Sequence, residues 1–126
     1  MTCWRQWLGR RGETLAEKTL LGQGCVIIER NHASSLGEID LIARDGDVLM
    51  FCEVRSRRLT DADSMAIVGE SIDAAKQNRL WLLAESYLQR HPALSRCSCR
   101  FDVILVGRRD RDWQVDWIKD AFRPGW

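Results

Sequence analysis

The chain has 126 residues, of which 45% are apolar, and a formal net charge of +1. This length suits one hydrophobic core, so we expect a single domain over residues 1–126. The balanced charge argues against coating nucleic acid through bulk electrostatics, and two histidines with five scattered cysteines offer no common zinc spacing. No apolar run is long enough for a bilayer, and residues 1–12 do not show the apolar stretch typical of a secretion signal. We expect a cytoplasmic protein with no membrane partner.

The first half of the chain predicts one helix followed by three strands. A helix is predicted from about Arg11 to Leu21, because apolar residues recur there at helical spacing and Gly24 is a typical C-terminal stop. Three segments rich in apolar residues then follow. The predicted strands cover residues 25–30, 38–44 and 47–55.

The second and third strands predict a hairpin. Asp45-Gly46 tolerates the positive φ angles that a type I′ turn requires. This turn pairs Arg44 with Asp47. Counting from there places Asp40 diagonal to Glu53 across the two strands.

Four charged side chains are predicted on one face of this hairpin, because side chains alternate along a strand. Like charges opposite each other destabilise a sheet, and an ionised carboxylate in apolar surroundings costs several kcal/mol. The arrangement favours a hard divalent cation held by oxygen ligands. The alternative is a buried Arg55–Glu53 ion pair in a core that has lost its catalytic function. The four residues are Glu38, Asp40, Glu53 and Arg55.

The second half predicts a long helix and two strands. Asp73 is a good N-cap, and an apolar stripe continues until His91-Pro92 ends the helix. Strands are predicted over residues 100–106 and near 113–118, and residues 59–70 form the loosest segment. The crossing helix makes the third and fourth strands a candidate parallel pair. The expected class is α/β, with an α-β-β-β-α-β core, an added edge strand and a mixed central sheet flanked by helices.

A series of short motifs runs along nearly the whole chain. They are Gly12-Glu13, Asn31, Gly37-Glu38-Ile39-Asp40-Leu41-Ile42, Phe51-x-Glu53-Val54-Arg55-x-Arg57, Lys76-Gln77, Arg100-Phe101-Asp102-Val103 and Ile118-Lys119-Asp120-Ala121-Phe122. In these motifs the chain resembles the YraN-type bacterial proteins. That family is similar to Holliday-junction resolvases and to the wider PD-(D/E)xK, or restriction-endonuclease-like, nucleases. The resemblance implies that fold and a nuclease activity.

The resemblance also implies the residues of a catalytic centre. Asp40 would be the first acid and Glu53 the second, and both would bind Mg²⁺ or Mn²⁺, with Glu38 as a further metal ligand. Arg55 stands where such nucleases carry a lysine. An arginine keeps the positive charge but cannot act as a general base, although it can stabilise charge on a phosphate.

Further residues are predicted around this centre. Glu13 matches the helical acid of the resolvase-like proteins, although the helix dipole would equally favour an acid there. Gln77 matches a helical glutamine that orients the site. The predicted nucleic-acid contacts are Arg57, Arg58, Lys76 and Arg11.

Two functions from different classes remain open. The first is a metal-dependent endonuclease acting on structured or branched DNA during repair or recombination. The second is a non-catalytic module that binds nucleic acid or protein and kept the fold after the lysine became Arg55. Because resolvases cut two strands symmetrically, a homodimer is also expected. Trp4, Trp7, Trp113 and Trp126 are candidates for stacking on bases or for a subunit interface, which is the preferred interpretation.

Overall fold

A computed structural model describes residues 3–70 and 72–123 of the chain. Helices and strands follow one another in the predicted order, and two short 3-10 helices are added. The main elements are α1 Trp4–Gly22, β1 Val26–Ser34, β2 Gly37–Asp45, β3 Val48–Leu59, α2 Ala74–Arg90, β4 Ser98–Arg109 and β5 Asp112–Phe122. The 3-10 helices are Met65–Gly69 and Pro92–Leu94.

The five strands form one sheet in the order β1-β2-β3-β4-β5. Three neighbouring pairs are antiparallel, whereas β3 and β4 run parallel. A parallel neighbour needs a crossover connection, which α2 provides. The mixed sheet and the restriction-endonuclease-like core are therefore confirmed.

The two helices cover opposite faces of the sheet. Leu20 of α1 lies in one core cluster with Leu41, whereas Leu83 of α2 lies in another with Ile42. Neighbouring strand residues point to opposite faces, so the two clusters fill the two sides. In the described residues no helix is both long and apolar enough to cross a membrane.

Helix α1 begins at Trp4 and not near Arg11 as predicted. The earlier start adds Leu8, which is only 4% exposed, to the buried stripe of the helix. The stripe then continues at four-residue spacing through Gly12 and Ala16. The sequence-based start was wrong because the polar residues between Leu8 and Gly12 mask this continuity.

The turn between β2 and β3 differs from the predicted turn by one position. Gly46 has a φ of 58° and begins the loop, and Asp45 pairs with Val48. The predicted register was therefore wrong, because glycine carries the positive φ at the first loop position instead of the second. Leu41 pairs with Cys52, two residues beyond its predicted partner Met50. A shift of two residues leaves every side chain on its predicted face.

The β2–β3 pairing stops before either strand ends. Its last pair is Leu41 with Cys52, although β2 extends back to Gly37 and β3 continues to Leu59. Among the described residues, the separated part of β2 pairs with β1 and that of β3 pairs with β4. We call this opening the fork, formed by residues 37–40 and 53–59. It leaves one edge of β3 open.

The segment predicted to be the loosest contains the first 3-10 helix. Met65 and Val68 are 8% and 5% exposed and pack in a cluster with Leu59 and Leu105. This helix therefore packs against β3 and β4 beside the fork. Its short apolar pattern is too brief to distinguish from a loop by periodicity.

Candidate metal centre

The fork is held open by an aspartate that replaces a strand carbonyl. The Val54 N–H donates a hydrogen bond of 2.8 Å to Asp40 Oδ2. In a continuous ladder this N–H would bond to the neighbouring backbone. Because the carboxylate reaches across the gap, Asp40 is fixed between the two strands.

Three carboxylates from α1 and β2 gather at the fork. Glu13, Glu38 and Asp40 each offer one oxygen, and these oxygens lie within 4.8 Å of one another. Burial raises the pKa of Glu13, and the charges of Asp40 and Glu38 raise it further. Such crowding of like charges favours either a bound cation or proton uptake.

A glycine lets α1 approach the sheet closely enough to bring Glu13 into this group. A Cβ atom on Gly12 would lie 1.8 Å from Ser56 Oγ and 3.0 Å from Ser56 Cβ. Any larger residue would therefore push the helix away from β3. Asn31, with a φ of 50°, gives Glu13 a side-chain hydrogen bond that lowers its pKa.

Glu53 lies in the fork and faces α2. The residue is 5% exposed, and its Oε1 is 3.1 Å from Arg55 Nε and 3.6 Å from Lys76 Nζ. Its Oε2 is buried and has no hydrogen-bond partner among the described residues. Burial, together with the charge of Asp40, raises the pKa of Glu53 to about 7. The nearby cations therefore compensate the buried carboxylate only in part.

Asp40 connects the α1 and α2 sides of this centre electrostatically. Burial raises its pKa, and the charge of Glu38 adds to that rise. The Val54 N–H, Lys76 and Arg55 act in the opposite direction. The charge of Asp40 in turn raises the pKa of both Glu13 and Glu53.

Most of the residues predicted for catalysis or metal binding lie together. The structure gathers Asp40, Glu53, Glu38, Glu13 and Arg55 around the fork. The tightest group of acids contains Glu13 with Asp40 and Glu38, whereas Glu53 pairs with the two cations.

The two helical residues Lys76 and Gln77 have different placements. Lys76 was predicted as a nucleic-acid contact, but its ammonium lies at Glu53 inside the centre. Gln77 donates to the Ile72 carbonyl at 3.4 Å and lines a different cavity with Val103. The structure therefore places Gln77 beside the centre and not in it.

The predicted nucleic-acid contacts on β3 border an open cavity of about 420 Å³ next to the fork. Arg57 and Arg58 are exposed and line this cavity with Glu13 and Arg55. Arg11 is exposed on α1. A basic rim thus surrounds part of the acidic centre.

Sequence reasoning missed the contact between Lys76 and Glu53. The Asp73 side chain accepts from the Lys76 N–H at 2.9 Å, which fixes the start of α2. That cap was predicted, and it places Lys76 in the first turn. The distance to Glu53 depends on how α2 packs on the sheet, which no local pattern encodes.

The mixed sheet, the fork and its acids define an α/β protein with a restriction-endonuclease-like core. Residues 12–106 match the family described as uncharacterised protein family UPF0102, and the chain belongs to this family. A UPF0102 protein of Methylobacillus flagellatus is 45% identical over 115 residues, covering 91% of this chain and 96% of the relative.

Two further relatives carry the same family description. The UPF0102 protein of Hahella chejuensis is 46% identical over 115 residues, covering 91% of this chain and 89% of the relative. That of Magnetococcus marinus is 40% identical over 118 residues, covering 94% and 93%. The resemblance to the YraN-type family is confirmed.

Proposed function

We propose that this protein is a metal-dependent nuclease that hydrolyses phosphodiester bonds. The observation that carries the proposal is the buried Oε2 of Glu53, which finds no hydrogen-bond partner in the part of the chain that the structure describes. A buried polar atom without a partner costs free energy, and such exceptions call for a ligand or a function. The neighbouring carboxylates supply the further oxygen donors that a hard cation requires.

The residues of the fork fit Mg²⁺ or Mn²⁺. Asp40, Glu38 and Glu13 each offer an oxygen within 4.8 Å of the others, and in this proposal Glu53 adds its unpartnered Oε2. Carboxylate oxygens select hard cations over zinc or copper. When bound, such an ion supplies a water of lowered pKa and stabilises charge on phosphoryl oxygens. The positive charge of a divalent cation would also offset the repulsion between these crowded carboxylates.

In this proposal, Arg55 and Lys76 together perform the role of the single lysine found in related nucleases. Arg55 is permanently charged, and its planar guanidinium presents several N–H donors suited to a phosphate oxygen. Lys76 carries a compact ammonium with three N–H donors, and its Nζ is 3.6 Å from Glu53 Oε1. In this proposal Lys76 positions the attacking water, and Arg55 binds the phosphate.

The open edge of β3 supports a nucleic-acid substrate. Arg57 and Arg58 are neighbours on this strand and therefore point to opposite faces of the sheet. Arg57 lines a cavity with Val68, whereas Arg58 lies over the ring of Trp4. Cationic side chains on both sides of the centre suit a phosphate backbone that passes across the edge.

Two measurements test the proposal: Mn²⁺ binding by calorimetry and cleavage of labelled single-stranded, duplex and branched DNA. We expect Asp40→Asn and Glu53→Gln each to abolish cleavage and to weaken Mn²⁺ binding. Glu17→Gln is the matched control, because Glu17 lies on α1 but forms an ion pair with Arg30. Metal binding and cleavage that persist in both variants would contradict the proposal.

The second candidate function is a binding module without catalysis, and the Arg55–Glu53 ion pair favours it. Lys76→Met distinguishes the two functions. In a nuclease this change should lower the cleavage rate by about 10²-fold, as loss of a positioning group typically does, with Mn²⁺ affinity nearly retained. A protein that binds DNA but cleaves none, both unchanged and with Arg55→Lys, would support the binding module, whereas improved cleavage with Arg55→Lys would indicate a weakened nuclease.

A further inference from the structure

A group of tryptophan and arginine side chains lies beside the candidate metal centre. We call it the Trp–Arg patch; it consists of Trp4, Trp7, Trp113, Arg58 and Arg108. The residues Trp4 and Trp7 are 45% and 37% exposed. Large aromatic rings left in contact with water commonly mark a binding surface. Trp126, which the sequence also singled out, lies outside the described residues.

The arginines of the patch lie over the tryptophan rings. The guanidinium of Arg108 is 4.8 Å from the ring centroid of Trp7 and 5.0 Å from that of Trp113. The guanidinium carbon of Arg58 lies 5.4 Å from the ring centroid of Trp4. A guanidinium lying over a ring is held in place by it. Arg108 Nε also donates to the Asp110 carbonyl at 3.1 Å, so the terminal N–H groups are the donors placed to meet an anion. The patch therefore offers aromatic faces and cationic edges side by side.

The patch is continuous with the cavity at the metal centre. A cavity of about 290 Å³ is lined by Trp4, Trp7, Arg58, Arg108 and the acidic residue Asp110. Trp4 and Arg58 also line the larger cavity that contains Glu13 and Arg55. A polymer bound at the centre would reach the patch without leaving the surface.

We propose that the Trp–Arg patch binds an unpaired nucleotide of the substrate. Its base stacks on Trp4, which is more exposed than Trp7 and lines both cavities, and its phosphate meets Arg58 or Arg108. Ring faces next to guanidinium groups match the two chemical halves of a nucleotide, and stacking accepts any base. This inference rests on the proposed function for the position of the reacting phosphate. It predicts a preference for single-stranded or branched DNA, because a paired base is already stacked within its duplex.

The test is oligonucleotide binding in EDTA, measured by fluorescence anisotropy, so that no cleavage is involved. Three probes are compared: a single strand, an abasic strand of equal length and the corresponding duplex. Trp4→Ala should weaken binding of the normal single strand about tenfold, within the range known for base stacking. It should leave the abasic strand unaffected, and Trp4→Phe should restore most of the affinity. Leu82→Ala, at an exposed apolar side chain of α2, is the control.

Several results would overturn the proposed stacking role. Equal weakening of the normal and abasic strands, or no weakening of either, would overturn the stacking role. A dimer that Trp4→Ala converts to a monomer, with oligonucleotide binding unchanged, would assign the patch to a subunit contact and also overturn it. Failure of the proposed function appears separately, in Mn²⁺ calorimetry and in cleavage by the Asp40 and Glu53 variants.

Discussion

Two buried carboxylates on neighbouring strands have opposite environments. Asp102 of β4 is fully buried and accepts hydrogen bonds from Arg100 Nε at 2.9 Å, Trp117 Nε1 at 2.8 Å and the Asp120 N–H at 3.0 Å. Glu53 of β3 is also buried, but its Oε2 receives no hydrogen bond from any residue that the structure describes. Burial alone therefore does not identify a functional acid. Unsatisfied hydrogen-bonding capacity is the more informative property.

The sheet itself produces this difference. The β4–β5 pairing has an irregularity between Phe101 and Val103, and Asp120 on β5 has a φ of 52°. The strand distortion turns a backbone N–H towards Asp102. Glu53 lies instead where β2 and β3 separate, so no adjacent β2 residue pairs with it in the described ladder. One irregularity supplies a hydrogen-bond donor to a buried carboxylate, and the other leaves a buried carboxylate oxygen without a donor among the described residues.

The largest expected effect comes from removing the satisfied acid. Asp102→Ala leaves Arg100, the Trp117 ring N–H and the Asp120 N–H without their acceptor, so we expect a loss of about 3–5 kcal/mol of unfolding free energy. Urea denaturation measures this loss. Asp112→Ala, at an exposed position of β5, should change stability by less than about 0.5 kcal/mol. Equal effects of the two changes would contradict the structural role of Asp102.

The opposite sign is expected for Glu53→Gln in metal-free protein. Because burial raises the folded-state pKa of Glu53 to about 7, ionisation destabilises the fold as pH rises from the ordinary value of 4.5 through 7. The glutamine avoids this cost and should stabilise the protein by about 1–3 kcal/mol above pH 7, but little near pH 4.5.

Urea denaturation in EDTA at these two pH values measures the gain from Glu53→Gln. Destabilisation of the variant at the higher pH would mean that the Arg55–Glu53 ion pair stabilises the fold on balance. That result would favour a structural ion pair without catalytic function over a metal centre.

The smallest effect concerns the route by which Glu13 enters the centre. Gly12→Ala places a Cβ against Ser56 and should lower Mn²⁺ affinity several-fold by moving α1 away from β3. Gly9→Ala is the matched control on the same helix, since no described atom lies within 4 Å of its added Cβ. The control should keep its affinity and gain about 0.5–1 kcal/mol of stability from helix propensity. Calorimetry and denaturation of both variants measure these changes.

A weaker Mn²⁺ affinity in both glycine variants would place its cause in α1 as a whole. Unchanged affinity in both would mean that Glu13 contributes little to metal binding. Only the difference between Gly12 and Gly9 supports a role for the close approach to Ser56.

Local pattern was sufficient for much of the fold. The order of elements, the Asp73 cap of α2 and the parallel β3–β4 pair were all predicted. The hairpin register was wrong, yet Asp40 and Glu53 kept their faces because the shift was two residues. The start of α1 and the 3-10 helix at Met65–Gly69 were missed, since both depend on burial against distant strands.

The sequence by itself determined which residues alternate along each strand, where α2 starts and which acids share a face with Arg55. These properties follow from backbone periodicity and short-range hydrogen bonding. Only the tertiary structure decided that the sheet opens at Asp40, that Gly12 brings Glu13 to it and that Lys76 reaches Glu53. Those contacts join segments far apart in the chain, and their distances depend on how the helices pack on the sheet.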